Sequence, residues 1–143
     1  KLQAIASDSI LLNKGVQLTY PSSLILLPNN QKLPYCLIED QAKITGTILC
    51  FSQGIQRSNK LALEVKKDGI VQGLIYSEDN FELNGQVQGS VICNRFLLAT
   101  PSGIYENHLL DGRIERSLLP AHFASIPFDD LKNETKIIEW ISY

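Results

Sequence analysis

A short pattern recurs four times in this chain and constrains its fold more than any other feature. The template is Gly, any residue, an apolar residue, any residue, Gly or Asn, any residue and a second apolar residue. Residues 69–75, 85–91 and 103–109 fit it, and residues 42–48 fit it with Ala in place of the first Gly. The copies begin at 42, 69, 85 and 103, so the steps are 27, 16 and 18 residues. Such spacing indicates repeats that pack on one another.

The segments between the copies have the pattern of short β-strands. Apolar residues alternate with other residues in 61–65, 81–83 and 96–98, which is typical of strands with one buried face. The alternative is a meander of hairpins, with Asn84-Gly85 as one turn. A meander, however, does not require the same Gly and apolar positions to recur. The sequence therefore predicts an all-β fold, a short single-stranded β-solenoid of about four coils over residues 35–112.

The template also predicts which residues stack. Parallel strands of successive coils lie about 4.8 Å apart, so equivalent residues form columns. The first predicted core column contains Ile44, Val71, Val87 and Tyr105. The second contains Ile48, Ile75, Val91 and Leu109. A third column marks a bend, where Gly and Asn tolerate the left-handed backbone, and contains Gly46, Gly73, Gly89 and Asn107.

The segments 71–75 and 87–91 of two copies, with the strands 81–83 and 96–98 that follow them, resemble the bactofilin family. Bactofilins are bacterial polymer-forming proteins whose single domain is a small right-handed β-helix. The resemblance covers about residues 42–112, and it implies right-handed coils, self-association and a cytoplasmic location. The chain departs from the family in its fewer clean repeats, an insertion after Cys50 and long non-repeating flanks. It also resembles, more weakly, the soluble parts of uncharacterised anchored envelope proteins of the Bacteroidetes group.

The flanks are predicted to complete a single domain, residues 1–143. Residues 1–34 are expected to form an N-terminal cap or linker, with a short helix at Lys1–Ala6. Residues 113–143 are expected to form an irregular or partly helical C-terminal cap. Its apolar residues would fold under the last coil; they are Leu118, Leu119, Phe123, Ile126, Phe128 and Trp140. The chain contains no Met, so we expect that a tag, signal peptide or membrane anchor preceded Lys1.

Composition and motifs argue against several classes of function. Thirteen basic and fifteen acidic residues give a net charge of −2, without the basic excess that nucleic-acid binding needs. The sequence has no phosphate-binding loop and no Gly-x-Gly-x-x-Gly motif, and three Cys and two His lack zinc-ligand spacing. We therefore predict no catalytic, cofactor-binding or metal-binding residue. The cysteines are expected to be unpaired, with Cys50, Ser77 and Cys93 in one column, so that Cys50 and Cys93 lie about 9.6 Å apart.

Two groups of residues leave an enzymatic alternative open. Glu106 and His108 would point to the same face of a strand, near Asp111, and could form an acid/base pair; the favoured interpretation is an exposed polar stripe. His122 is expected to pack in a turn. Acidic residues cluster at Glu78, Asp79 and Glu82, and again at 129–130, and paired carboxylates can hydrolyse glycosides.

The sequence as a whole favours a non-enzymatic structural or assembly protein of a bacterial cell envelope that associates with itself or with other envelope proteins. Its location is expected to be extracytoplasmic, with membrane contact only through a removed N-terminal segment. The alternative is a carbohydrate-binding or carbohydrate-processing β-helix domain.

Overall fold

The computed structural model describes residues 1–29, 34–52 and 60–124. The predictions for Ile126, Phe128 and Trp140 and for residues 129–130 lie outside this set. The strands are β1 (Gln3–Ala6), β2 (Ser9–Leu12), β3 (Gln17–Leu26), β4 (Tyr35–Ile38), β5 (Lys43–Cys50), β6 (Leu63–Val65), β7 (Ile70–Leu83), β8 (Gln86–Thr100), β9 (Gly103–Glu106) and β10 (Arg113–Ile114). A 3-10 turn, η1, follows at Arg116–Leu118. The all-β prediction is confirmed.

The strands form a sheet that folds round on itself. Its order is β1-β3-β5-β7-β6-β4-β2, and every pair along this path is parallel. Strand β7 joins the two halves, because its first part pairs with β5 and its last residues pair with β6. Strand β8 lies parallel to β7, and β10 lies parallel to β8. This arrangement is the parallel, solenoid-like stacking that the repeat predicts.

Residues in register form three rows, and the side chains between the rows form the core. The first row runs through Leu18, Ile44, Val71, Val87 and Ile114. The second row runs through Leu24, Ile48, Ile75 and Val91. The third row runs through Ile10, Cys36, Leu63, Phe81 and Phe96. The predicted neighbours Ile44, Val71 and Val87, and likewise Ile48, Ile75 and Val91, are therefore confirmed.

The prediction for the last copy, 103–109, is wrong. Strand β9 turns back and pairs antiparallel with the end of β8, so Tyr105 and Leu109 do not join the core columns and are 43% and 42% exposed. The first row continues instead with Ile114, whose register partner is Val87. A turn at Pro101 and Ser102 reverses the chain, so the hairpin alternative describes this one segment.

A close approach of backbones explains the glycine column. At Gly46, Gly73 and Gly89 the chain passes from the first row to the second with φ of 156°, 149° and 156°. A Cβ on Gly73 would lie 1.9 Å from the carbonyl oxygen of Gly46, and a Cβ on Gly89 would lie 1.9 Å from that of Gly73. No side chain fits such a corner. Asn107, predicted for this column, instead follows β9 in a left-handed conformation with φ of 57°.

The parallel stack begins earlier than predicted. Strand β1 replaces the helix expected at Lys1–Ala6, and its register with Ser23–Leu26 of β3 extends the second row upstream. The boundary predicted at residue 35 therefore falls inside the stack. The template does not match the early strands, because the register partner of Gly46 is Ser22 and not a glycine.

The C-terminal segment, as far as Ala124, covers part of the end of the stack and then its side. Strand β10 pairs below β8, and Gln72 Nε2 donates to the carbonyl oxygen of Leu118 at 3.3 Å. The ring of Phe123 lies 5.6 Å from that of Tyr20, and a Cβ on Gly73 would meet it at 2.8 Å. Phe123 thus lies against the glycine corner, and the prediction that it folds under the last coil is wrong.

All three cysteines are free, as predicted. Cys50, Ser77 and Cys93 are register partners on β5, β7 and β8, so a serine stands between the two thiols of this column. Burial raises the pKa of Cys93 to about 11, which keeps this thiol protonated at neutral pH.

Candidate functional site

Three turns of the stack line an open groove with a volume of about 650 Å³, here called the turn groove. Each turn contains an Asp-Gly or Asn-Gly pair: Asp68-Gly69, Asn84-Gly85 and Asp111-Gly112. The register Ile70–Gln86–Arg113, two residues further along each turn, places the three pairs in line. The lining residues are Lys67, Asp68, Gly69, Ile70, Asn84, Gly85, Gln86, Leu110, Asp111 and Arg113.

The floor of the turn groove is made of backbone. A Cβ on Gly85 would lie 2.4 Å from the carbonyl oxygen of Gly69, so the two turns are in backbone contact. A Cβ on Gly112 would lie 2.3 Å from the carbonyl oxygen of Leu83. The glycines are therefore required by packing, while the flanking polar side chains form the walls.

The walls of the turn groove carry balanced charge. Lys67 and Arg113 supply two positive charges, and Asp68 and Asp111 supply two negative charges. All four side chains are exposed, and within the described parts of the chain their charged groups make no hydrogen bond or ion pair. The groove therefore offers hydrogen-bond donors and acceptors that are available to a ligand.

Two carboxylates lie side by side next to the turn groove. Glu64 and Glu82 are register partners on β6 and β7, and they are only 7% and 8% exposed. The hydroxyl of Tyr35 donates to Glu64 Oε2 at 2.5 Å, and the ammonium of Lys66 pairs with Glu64 Oε1. Asn84, in the groove wall, donates to Glu82 Oε1 at 3.3 Å. Both oxygens of Glu64 are thus occupied, and Glu82 is the carboxylate that contacts the wall of the groove.

The environment of Glu64 changes the pKa of its two partners. Burial, followed by the hydrogen bond to Glu64, raises the pKa of Tyr35 well above its ordinary value of 10.0. The hydrogen bond to the Glu64 carboxylate raises the pKa of Lys66, and partial burial of the ammonium opposes this rise. Lys66 therefore stays charged at neutral pH, and the ion pair persists.

Alkaline titration tests the Tyr35–Glu64 hydrogen bond. Because the folded state binds the Tyr35 proton more tightly than the unfolded state, this contribution to stability is fully present below pH 10 and is lost as the pH rises through the higher folded-state pKa. The ultraviolet absorbance of phenolate should show a late step that Tyr35→Phe removes. The exposed-site variant Tyr105→Phe should keep that step; loss of the step in both variants would contradict the assignment.

The structure does not pair the side chains of Glu106 and His108. His108 Nδ1 lies 2.7 Å from the backbone carbonyl oxygen of Glu106, whereas the Glu106 carboxylate accepts a hydrogen bond from Arg95 Nη1 at 2.6 Å. Both residues are exposed. The acid/base pair considered from the sequence is therefore absent, and Asp111 belongs to the turn groove instead.

The other sequence candidates also separate. His122 is exposed in a turn in which Phe123 N donates to Pro120 O at 2.9 Å. Glu78 accepts hydrogen bonds from Ser52 N at 2.8 Å and from Tyr76 Oη at 3.3 Å, while Glu82 lies beside Glu64. The sequence interpretation missed the turn groove, although the Asp-Gly or Asn-Gly pairs at 68, 84 and 111 were a signal for it.

Comparisons with family models, with curated proteins and with solved structures found no match for this chain. In the described ranges, no cluster of three or more His, Cys, Asp or Glu side chains is arranged to hold a metal ion. Within those same ranges, no helix has the length and apolar character needed to cross a bilayer.

Proposed function

We propose that this protein is a non-enzymatic structural or assembly protein of a bacterial cell envelope and that it associates with a second copy of itself. We further propose that its parallel strands wind as a right-handed β-solenoid of about four coils from β3 to β8, with β1 and β2 as part of a further coil upstream. The parallel pairing that aligns residues in the three rows supports the coils. The resemblance to bactofilins supports their handedness and the self-association.

The position of the sheet edges is the observation that carries the association proposal. The sheet path ends at β1 on one side and at β2 on the other, and both strands belong to the same end of the stack. Each pairs on one side only, β1 with β3 and β2 with β4, among the strands that the structure describes. Unpaired backbone groups on such edges pair readily with strands of another chain.

Apolar side chains accompany these edges. Ile5 on β1 is 69% exposed, and Leu11 on β2 is 55% exposed. Both alternate with inward-facing neighbours, so they project from the outer surfaces of the two edge strands. Burial of these side chains in a contact between copies would remove apolar surface from water.

The opposite end of the stack is covered in part by the chain itself. Strand β9 pairs with Leu97–Thr100, and β10 pairs with Gln86 and Val87 of β8. A contact between the β1 and β2 ends of two copies joins them about a two-fold axis and then closes. The expected assembly is therefore a dimer.

Light scattering during size-exclusion chromatography tests this assembly. The unmodified chain should elute with twice the monomer mass of 16.0 kDa, and Ile5→Lys combined with Leu11→Lys should elute as a folded monomer, because lysines on edge strands oppose pairing with another chain. The matched control is Leu110→Lys, which alters a 71% exposed leucine on the turn groove and should leave the dimer intact. A monomeric unmodified chain, or dimers in every variant, would contradict the proposal.

The envelope location is proposed separately from the dimer. It rests on the resemblance to anchored envelope proteins, and it requires an apolar helix or signal segment before Lys1 in the gene product. Fractionation of cells expressing the natural gene should recover the protein with the envelope, accessible to protease added outside the cytoplasmic membrane. Recovery with the cytoplasmic fraction would overturn this location.

A further inference from the structure

We propose that the turn groove binds a neutral oligosaccharide that lies along the stack, across the turns containing Asp68, Asn84 and Asp111. The three turns are consecutive in register, so their polar side chains repeat at the strand spacing of about 4.8 Å. One sugar ring in an extended glycan has a comparable length. Each ring can therefore present its hydroxyl groups to one turn.

The chemistry of the walls favours a neutral, polyhydroxylated ligand. The charges of Lys67, Asp68, Asp111 and Arg113 sum to zero, so the groove neither attracts nor repels a polyanion as a whole. Carboxylates accept hydrogen bonds from sugar hydroxyls, and ammonium and guanidinium groups donate to hydroxyl and ring oxygens. A groove of about 650 Å³ is within the size range of small-molecule sites and can hold a short oligosaccharide.

Backbone requirements alone do not account for this set of side chains. Asp68 has φ of 62°, and Asp and Asn are favoured in that left-handed conformation, which explains the residue type at this turn. The same argument does not explain Lys67 and Arg113, whose charged groups have no partner within the described ranges. Nor does the backbone argument explain the hydrogen bond from Asn84 to Glu82, which fixes the Asn84 amide in the wall of the groove.

Isothermal titration of the full chain with cellohexaose, chitohexaose and mannohexaose tests the proposal, with hexagalacturonate as an anionic probe. At least one neutral hexaose should bind with a Kd below about 1 mM, and hexagalacturonate should bind more weakly. Asp68→Gly, which suits the left-handed backbone, and Arg113→Ala should each weaken binding about tenfold, since each removes a charged hydrogen-bonding group. The control Asn94→Ala, at an exposed position of β8 between Val91 of the second row and Phe96 of the third row, should bind like the unmodified chain.

Several results would overturn the groove as a glycan site. They are no binding of any neutral hexaose at millimolar concentration, tighter binding of hexagalacturonate, or unchanged affinity in both groove variants with unchanged thermal melts. The proposal is independent of self-association, and the experiment separates the two. Groove variants should keep the dimer mass, and the monomeric Ile5→Lys, Leu11→Lys variant should keep its affinity for the hexaose.

Discussion

Gly73→Ala is expected to lower the free energy of unfolding by at least about 3 kcal/mol, because the added methyl group has no space at the glycine corner. Its Cβ would lie 1.9 Å from the carbonyl oxygen of Gly46 and 2.8 Å from the ring of Phe123. The ring can move, but the backbone of Gly46 is held in the parallel ladder between β5 and β7. Separation of these strands would break the stack at its centre.

Gly103→Ala is the matched control for this prediction. Gly103 has φ of 148°, almost the same as the 149° of Gly73, but a Cβ there would meet nothing within 4 Å. Gly103→Ala therefore introduces the backbone strain without the steric clash, and it should lower the free energy of unfolding by about 1 kcal/mol. Urea-induced unfolding measures both variants. Equal losses of stability would show that strain alone, and not the contact with Gly46, requires glycine at this corner.

Val87→Asp is expected to lower the free energy of unfolding by about 3–5 kcal/mol, while Gln88→Asp should cost under about 1 kcal/mol. Val87 is fully buried between Val71 and Ile114, so a carboxylate at this position would lose its hydration and gain no partner. Gln88, one residue later, is half-buried and accepts a hydrogen bond from Gln72 Nε2 at 3.2 Å. Its side chain lies on the outer face, where a carboxylate stays hydrated.

Thermal unfolding of the two aspartate variants, measured at the same pH, compares the two faces of β8 directly. The substitutions are adjacent in sequence and introduce the same group, so a difference between them reports the direction of the side chain. Similar melting temperatures would contradict the assignment of inward and outward residues in the first row.

Much of the candidate site could not be predicted, although its residues were visible in the sequence. The pairs Asp68-Gly69, Asn84-Gly85 and Asp111-Gly112 lie 16 and 27 residues apart along the chain. Their alignment depends on the register between β7, β8 and β10, and it was hidden by the assignment of the last copy to 103–109. The partly buried contact of Tyr35 with Glu64 joins residues 29 positions apart and had no local signal.

Local sequence determined the strands and the central columns of this protein. Alternation with period 2 specifies which side chain faces inward, and a recurring glycine marks a corner that excludes Cβ, so Ile44, Val71 and Val87 could be placed in one column. Only the tertiary structure decided where the stack begins and how it ends. Both Gly103 and Gly112 begin a Gly-x-apolar segment, so the sequence offers two candidates for the next strand of the stack. In the structure the segment after Gly112 pairs with β8 in parallel, and the segment after Gly103 pairs with it antiparallel. That choice is made by competition between distant pairings, because a hairpin at Pro101 brings β9 back to β8 before the chain can complete another coil.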